Sequence, residues 1–200
     1  KLRTKNHQEK KTYQQIYHYI NKTDENGFTR IFSCLLSVKD TKENIIKKFK
    51  RINEYAKFKG FEVILDVNPR VFGELEISYK DLNFFKKTKA DGIRLDMGFT
   101  GSEEALMTFN PQNLKIEINM SNNTNYIDTI MDYQPNKENL IGCHNFYPHR
   151  YSGLNLEHFI KCTERFNKYG LRTAAFITSQ NEETFGPWPV TDGLQTLELN

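Results

Sequence analysis

The stretch Lys115-Ile-Glu-Ile-Asn-Met-Ser121 alternates polar and apolar side chains at every position. Successive side chains of a β-strand point to opposite faces of its sheet, so the apolar residues share one face and Glu117 and Asn119 share the other. The stretch Gly92-Ile-Arg-Leu-Asp-Met97 follows the same pattern, with its arginine and its aspartate together on one face. Both stretches are therefore predicted to be strands that carry charge on one face only.

Six strand-like runs of this kind recur along the chain, and each is followed by a Gly/Pro/Asn loop and a helix-like stretch. They are Thr29 to Leu36, Phe61 to Asn68, Gly92 to Met97, Lys115 to Ser121, Leu140 to Phe146 and Arg172 to Ser179. Their starts lie about 20 to 30 residues apart, close to the length of one βα unit. Helical connections of this kind make neighbouring strands parallel.

Helical periodicity fills the gaps between these runs. From Ile45 to Ala56, apolar residues recur at steps of four, three and four behind Asp40 and Thr41, which are candidate caps. A second helix is predicted from Asn155 to its stop at Gly170. Upstream of Thr29 the sequence predicts one amphipathic helix and no strand.

The one-sided charge of the strands decides between sheet architectures. A parallel strand covered on both faces is normally apolar throughout, and burying an unpaired charge costs several kcal/mol. The polar faces are therefore predicted to line the inside of a (β/α)8 TIM barrel, where they can pair and meet solvent at the mouth. Because such a barrel has eight strands in about 250 residues, this chain of 200 residues is predicted to be a single incomplete barrel domain, lacking the first strand and the C-terminal part.

Composition excludes several classes of protein. The chain is 38% hydrophobic, and its longest apolar run, Ile31 to Val38, is interrupted by serines, so no membrane span is expected. Three cysteines far apart in the sequence suggest reduced thiols in the cytoplasm. The net charge of +3 comes with no recognised nucleic-acid-binding module. We therefore expect a soluble, enzyme-like domain with no nucleic-acid or membrane partner.

Barrel enzymes keep their chemistry at the carboxyl ends of the strands. The residues predicted there are Asp66 and Asn68, Asp96, Glu117 and Asn119, and His144. Since adjacent strands lie about 4.8 Å apart, Asp96 and Glu117 are expected to bring their carboxyl groups to roughly 5 Å, whereas Asp66 and Glu117 would be nearer 10 Å. Glycosidases use two carboxyl groups about 5 to 9.5 Å apart.

Two carboxylates this close repel, so one is expected to keep its proton and act as acid while the other stays ionised. The catalytic prediction is Asp96 and Glu117, with Asp66 in reserve. Arg94, one layer below Asp96, would keep that carboxylate charged. The alternative is that these acids only form ion pairs with Arg94, Lys115 and Arg172 that fill the barrel.

Two loop segments allow two interpretations each. Asp66-Val-Asn-Pro-Arg70 either places Asn68 and Arg70 at the barrel mouth or only ends the strand. The segment from Gly98 to Glu104 resembles a phosphate cradle at a helix start, although its glutamates favour a capping box.

Two further segments carry candidate binding groups. The run from His144 to Arg150, with Asn145 between them, suits an oxyanion or a phosphate. The only tryptophan, Trp188, lies in Gly186-Pro-Trp-Pro189 and either stacks on a sugar ring or plugs the barrel rim. No spaced cluster of metal ligands accompanies these residues.

Several of these motifs, taken in order, resemble the 6-phospho-N-acetylmuramidase family. They are Asp66-Val-Asn-Pro-Arg70, Ala90-Asp-Gly-Ile-Arg-Leu-Asp96, Gly98-Phe-Thr-Gly101 with Glu104-Ala-Leu-Met107, Lys115-Ile-Glu-Ile-Asn-Met-Ser-Asn122, Asn139-Leu-Ile-Gly-Cys-His-Asn-Phe-Tyr-Pro148 and Gly186-Pro-Trp-Pro189. The resemblance implies a cytoplasmic glycoside hydrolase of bacterial cell-wall recycling. Such an enzyme cleaves N-acetylmuramic acid 6-phosphate from N-acetylglucosamine after a phosphotransferase system imports the disaccharide.

The resemblance also implies that no metal or organic cofactor is needed. Family members have a complete barrel followed by a cyclophilin-like β domain, and this second domain is expected to have no counterpart in this sequence. The substrate phosphate or lactyl carboxylate is expected at Arg94, His144, Asn145 and Arg150. Two alternatives remain open: another phosphosugar enzyme on the same barrel, such as an isomerase or aldolase, and a sugar-phosphate binder without activity.

Overall fold

The computed structural model describes residues 2–4, 13–36, 38–122, 124–145 and 153–176. The strands are β1 (Leu2–Thr4), β2 (Arg30–Cys34), β3 (Glu62–Val67), β4 (Gly92–Leu95), β5 (Lys115–Asn119), β6 (Leu140–Cys143) and β7 (Arg172–Ala174). The α-helices are α1 (Tyr13–Glu25), α2 (Lys42–Phe58), α3 (Pro69–Glu74), α4 (Asn83–Lys87), α5 (Ser102–Met107), α6 (Tyr126–Asp132) and α7 (Leu156–Asn167). A 3-10 turn over Lys137–Asn139 precedes β6.

All seven strands lie in one sheet in chain order, and every neighbouring pair is parallel. Within the described residues no pairing joins β1 to β7. Sequential parallel strands joined by helices are the arrangement of a (β/α)8 barrel, and the described residues form an incomplete one. The predicted fold class is confirmed.

Each of the six predicted strands is present and is shorter than its predicted run. The ends of the last two predicted runs, at Phe146 and from Ile177 to Ser179, lie outside the described residues. The expectation that no strand precedes Thr29 was wrong, because Leu2–Thr4 pairs with Ile31 to Ser33. Three residues are too few to show an alternating pattern, so only the backbone pairing reveals this strand.

The two faces of the sheet bury different kinds of residue. One face packs against the helices and holds the main apolar core, which includes Val63, Leu65 and Val67 of β3. The other face, toward the barrel interior, holds a smaller cluster of Phe32, Ile64, Cys143 and Phe176. The alternation read from the sequence therefore separates a helix-facing side from an interior side.

Side-chain caps begin the two longest predicted helices. Thr41 Oγ1 accepts a hydrogen bond from the Asn44 N–H at 3.3 Å at the start of α2, and Asn155 Oδ1 accepts one from the His158 N–H at 2.9 Å at the start of α7. Gly170 has φ +69° just beyond α7, a conformation that glycine adopts without strain. Among the helices of the described residues, none has the length and hydrophobicity to cross a bilayer.

Candidate active site

One buried guanidinium connects the carboxyl ends of four strands. Arg94, on β4, is only 1% exposed. Its Nη1 lies 3.1 Å from Asp66 Oδ1 and 3.1 Å from Asp96 Oδ1. Its Nη2 donates to Asn145 Oδ1 at 3.2 Å, and its Nε lies 3.8 Å from Glu117 Oε1. The side chains from β3, β4, β5 and the end of β6 are therefore held by one cation.

A second arginine forms a deeper layer of the same network. Arg30 Nη1 on β2 lies 2.9 Å from Glu117 Oε2, and Arg30 Nε donates to Glu62 Oε2 at 2.6 Å. Glu117 is fully buried between the two arginines. Because Glu117 is paired in register with Arg94, it lies nearer the amino ends of the strands than Asp96 does.

The charges explain how a cation is kept inside the barrel. Burial alone lowers the pKa of Arg94, but the negative groups around it, Asp66 foremost, raise that pKa above its ordinary value. Arg94 therefore stays protonated and holds the carboxylates that surround it.

A cavity of about 170 Å³ opens beside Arg94. Its walls include Asp66, Asp96, Arg94 and Asn145, with Phe32 and Phe176 also lining it. Since Asp66 Oδ1 and Asp96 Oδ1 both lie 3.1 Å from one nitrogen atom, these two oxygens are no farther apart than twice that distance. We call this space the charged cavity.

A second cavity, of about 310 Å³, lies beside the ends of β4 and β5. Its lining includes Asp96, Met97, Phe99, Asn119, Asn122 and Tyr126. Of the residues that the structure describes, Asp96 is the one that lines both cavities and the only charged one that lines the second. We call this space the neutral cavity.

The loop after Asp96 is held by a buried glutamate on α5. Glu104, fully buried, accepts hydrogen bonds from the backbone N–H of Phe99, from the N–H of Gly101 at 2.7 Å, and from the Tyr126 hydroxyl. Burial, and then Glu104, raise the pKa of Tyr126, so its hydroxyl stays protonated. The glutamate part of the predicted capping box is therefore present. Because the N–H groups of Phe99 and Gly101 already donate to Glu104, they are not free to bind a phosphate, which disfavours the phosphate-cradle interpretation.

Asn68 and Asn119 both bond to backbone groups. Asn68 Oδ1 caps α3 by accepting from the Val71 N–H at 3.0 Å, and Asn68 does not line either cavity. Asn119 Nδ2 donates to the Asp96 carbonyl oxygen at 3.2 Å and lines the neutral cavity. Of the two, the structure brings only Asn119 to a cavity that Asp96 also lines.

His144 does not point into the barrel, and the prediction that it does was wrong. It is buried against α7, where its ring stacks on Phe159 with centroids 4.1 Å apart and its Nε2 lies 2.9 Å from Thr163 Oγ1. The register pairs Asn119 with Cys143, so Cys143 takes the interior face and His144 the opposite one. Leu140-Ile-Gly-Cys143 is apolar on both faces, which is why its sequence does not show this.

The acids are paired, as one alternative expected, but not by all the predicted cations. Arg94 and Arg30 supply the contacts, whereas Lys115 Nζ donates to the Glu138 carbonyl oxygen at 2.6 Å and to Asn139 Oδ1 at 3.1 Å. Arg172 is exposed. Lys115 therefore lies away from the site. An isomerase or aldolase would need a lysine in the site itself.

Some site residues were missed, and others cannot be placed. Arg30 and Phe32 share the interior face of β2, and the period-two rule applied to that strand would have predicted both. Arg150 and Trp188 lie outside the described residues. Among the residues that the structure does describe, no group of three or more acids, histidines and cysteines is placed to hold a metal ion.

Several known proteins resemble this chain. A B. cereus protein described as uncharacterized has a crystal structure that is 50% identical, covers 94% of this chain and 50% of its own, and superposes with a TM-score of 0.76. A conserved Enterococcus faecalis protein of unknown function is 18% identical over 88% of this chain and 50% of its own, with a TM-score of 0.70.

A mutant form of a Thermobaculum terrenum O-GlcNAc hydrolase is 15% identical over 98% of this chain and 51% of its own, with a TM-score of 0.57, which shows a shared fold. The chain spans about half the length of these three structures. No curated protein matched the chain.

The family model for the N-terminal part of 6-phospho-N-acetylmuramidases matches residues 7–200. That match covers most of the chain, including every strand and helix from α1 onward. The chain therefore belongs to the 6-phospho-N-acetylmuramidase family and corresponds to its N-terminal part.

Proposed function

We propose that this chain forms the catalytic barrel of a cytoplasmic glycoside hydrolase. The reaction is hydrolysis of the bond between N-acetylmuramic acid 6-phosphate and N-acetylglucosamine during bacterial cell-wall recycling. The observation that carries the proposal is the pair Asp66 and Asp96, held on one nitrogen of Arg94 at the wall of the charged cavity. Membership of the family supports the choice of substrate.

The chemistry needs two carboxyl groups that reach one glycosidic bond from a shared cavity. Asp66 and Asp96 meet this need, because both line the charged cavity and their nearest oxygens share one hydrogen-bond donor. Glu117 is fully buried between Arg30 and Arg94 and does not line either cavity. In our proposal Glu117 therefore positions Arg94, and Asp66 replaces it in the catalytic pair.

Arg94 also has a different role from the one its sequence position predicts. Its Nη1 and Nη2 already contact Asp66, Asp96 and Asn145, so Arg94 orients these groups. Arg150, five residues after Asn145 in the sequence, stays the predicted cation for the phosphate or the lactyl carboxylate.

The test is release of N-acetylglucosamine from the phosphorylated disaccharide by the purified protein. We expect turnover by the unchanged protein, and a loss of about a thousandfold or more in kcat for Asp66→Asn and for Asp96→Asn, because each removes a group that moves a proton or contacts the reacting carbon. Asp132→Asn is the matched control, since Asp132 is an exposed carboxylate at the end of α6.

Two results would contradict the proposal. One is an unchanged protein that folds but releases no N-acetylglucosamine. The other is full turnover in both asparagine variants of the pair, with circular dichroism showing that each variant is folded.

A further inference from the structure

The proposed function leaves open which carboxyl group donates the proton and where each sugar binds. Resting on that proposed function, we infer that Asp96 protonates the glycosidic oxygen, that the charged cavity holds the anionic sugar, and that the neutral cavity is the subsite for the uncharged leaving sugar. Within the described part of the chain, Asp96 is the residue that lines both cavities, whereas Asp66 lines only the charged one. A bond that joins a sugar in one cavity to a sugar in the other must pass beside Asp96.

The two cavities differ in the charged residues that line them. The charged cavity contains Arg94 together with Asp66 and Asp96. Among the described residues, Asp96 is the only charged one that lines the neutral cavity. An uncharged N-acetyl sugar that enters such a cavity brings no charge out of water. A phosphorylated sugar would bring its charged phosphate out of water, which is costly without a cation to pair with it.

The neutral cavity also offers the contacts that a sugar ring uses. Met97 is 68% exposed and, with Phe99, gives the cavity an apolar wall for a ring face. Asn122 is exposed on the cavity wall and carries an amide that can bond to hydroxyl or acetamido groups.

The loop that carries Met97 and Phe99 is held in place by hydrogen bonds to a buried glutamate. The Phe99 N–H and the Tyr126 hydroxyl both donate to the buried Glu104. Gly98 lies so near Tyr126 that an added Cβ would come 1.6 Å from the tyrosine oxygen. The loop that follows Asp96 is therefore held against α5 and α6, which gives the subsite a pre-formed shape.

The bond-breaking step balances with these roles. Asp66 and Asp96 share the single positive charge of Arg94, and because two adjacent carboxylates repel, one of the pair carries a proton, which we assign to Asp96. That proton moves to the glycosidic oxygen, and the electron pair of the C1–O bond goes to the same oxygen. The neutral sugar then leaves as an alcohol. The C1 carbon of the anionic sugar is attacked by one of two nucleophiles. Either an Asp66 oxygen attacks and forms an ester that is later hydrolysed, or a water attacks and gives its proton to Asp66. Solvent then restores the starting protonation of the pair.

The role of Asp96 is tested with an aryl glycoside of N-acetylmuramic acid 6-phosphate, whose acidic phenol leaves without a proton donor. For Asp96→Asn we expect kcat/KM to fall about a thousandfold on the disaccharide but less than about tenfold on the aryl glycoside. For Asp66→Asn we expect a large loss on both substrates. Equal losses of Asp96→Asn on both substrates, or rescue of Asp66→Asn by the aryl glycoside, would overturn the assignment.

The subsite is tested with Asn122→Ala and Met97→Ser. Both residues are exposed, so we expect both variants to fold. The ratio of kcat/KM on the disaccharide to kcat/KM on the aryl glycoside should fall about five- to tenfold, the size of one lost sugar contact. Phe109→Ser, at an exposed position that does not line the neutral cavity, is the control and should keep the ratio of the unchanged protein.

The outcomes separate this inference from the function on which it rests. If the unchanged protein hydrolyses neither substrate, the proposed function itself fails. If it hydrolyses both and the ratio is the same in Asn122→Ala, Met97→Ser and Phe109→Ser, only the subsite assignment is overturned.

Discussion

The two faces of the sheet are built from the same strands and serve different purposes. On β3, Val63 and Leu65 pack under the helices, whereas Asp66 on the next position faces the barrel interior and bonds to Arg94. Burial of apolar surface contributes about 25 cal/mol per Å² to folding, whereas a buried ion pair adds little net stability and is costly to break. The helix face therefore supplies stability, and the interior face positions charged groups.

The largest effect on stability is expected from removing the central cation. Arg94→Met removes the guanidinium that the buried Asp66 contacts at 3.1 Å, whereas Glu117 keeps its contact with Arg30. The free energy of unfolding should fall by about 3 to 5 kcal/mol, because one partner of a buried ion pair is removed. Urea denaturation at neutral pH measures this change.

Arg70→Met is the control for that experiment. Arg70 is exposed and forms an i,i+4 ion pair with Glu74, so its loss should cost less than about 1 kcal/mol. Equal costs for the two variants would mean that the interior network is as dispensable as a surface ion pair.

A somewhat smaller loss of stability is expected from a substitution on the side of the sheet that packs against the helices. Ile118 is fully buried in the core between β5 and the helices, so Ile118→Ala should lower the free energy of unfolding by about 3 kcal/mol through lost burial and a cavity. Leu106→Ala, on the exposed side of α5, should cost less than about 1 kcal/mol. Urea denaturation of both proteins gives the comparison, and a near-zero cost at Ile118 would contradict the assigned core.

The smallest effect on stability is expected from the titration of His144, which was predicted to face the barrel interior and instead packs against α7. Burial, and then His158, lower the pKa of His144 to about 4 from its ordinary 6.5. Between these values the unfolded chain binds a proton that the folded chain does not, so stability should fall as the pH drops from about 6.5 to about 4.

His144→Phe keeps a ring beside Phe159 and removes the titration. The pH dependence of the unfolding free energy between about pH 6.5 and about pH 4 should therefore be shallower than in the unchanged protein. His18→Gln, at an exposed position on α1, is the control and should keep the full slope. If His144→Phe keeps that slope as well, His144 is not buried in its neutral form.

Strand identity and the polar faces of β3, β4 and β5 could be predicted from sequence. In those strands a charged residue occupies every second position or nearly so, and the period-two rule gives the face directly. Asp66, Arg94 and Glu117 accordingly share the interior face, as predicted. The helix α2 was equally readable, because its apolar stripe and its Thr41 cap are local features.

Depth within the barrel could not be predicted in the same way. Asp96 and Glu117 lie on adjacent strands, and nothing in the sequence sets the register between them. The observed pairing of Arg94 with Glu117 places Glu117 below Asp96 and between two arginines, while Asp66 reaches the same nitrogen of Arg94 as Asp96 does. Asp66 is also paired in register with Arg94, but it lines the charged cavity and Glu117 does not, and the candidate catalytic pair changed for that reason.

The sequence by itself determined that strands and helices alternate, that the strands run parallel, and which side chains of the charged strands share a face, because these properties follow from spacing along the chain. Only the tertiary structure decided how far each strand is shifted against its neighbour. That shift depends on backbone hydrogen bonds and packing between residues distant in sequence. It turns His144 toward α7, buries Glu117 beside Arg30, and places Asp96 where two cavities meet.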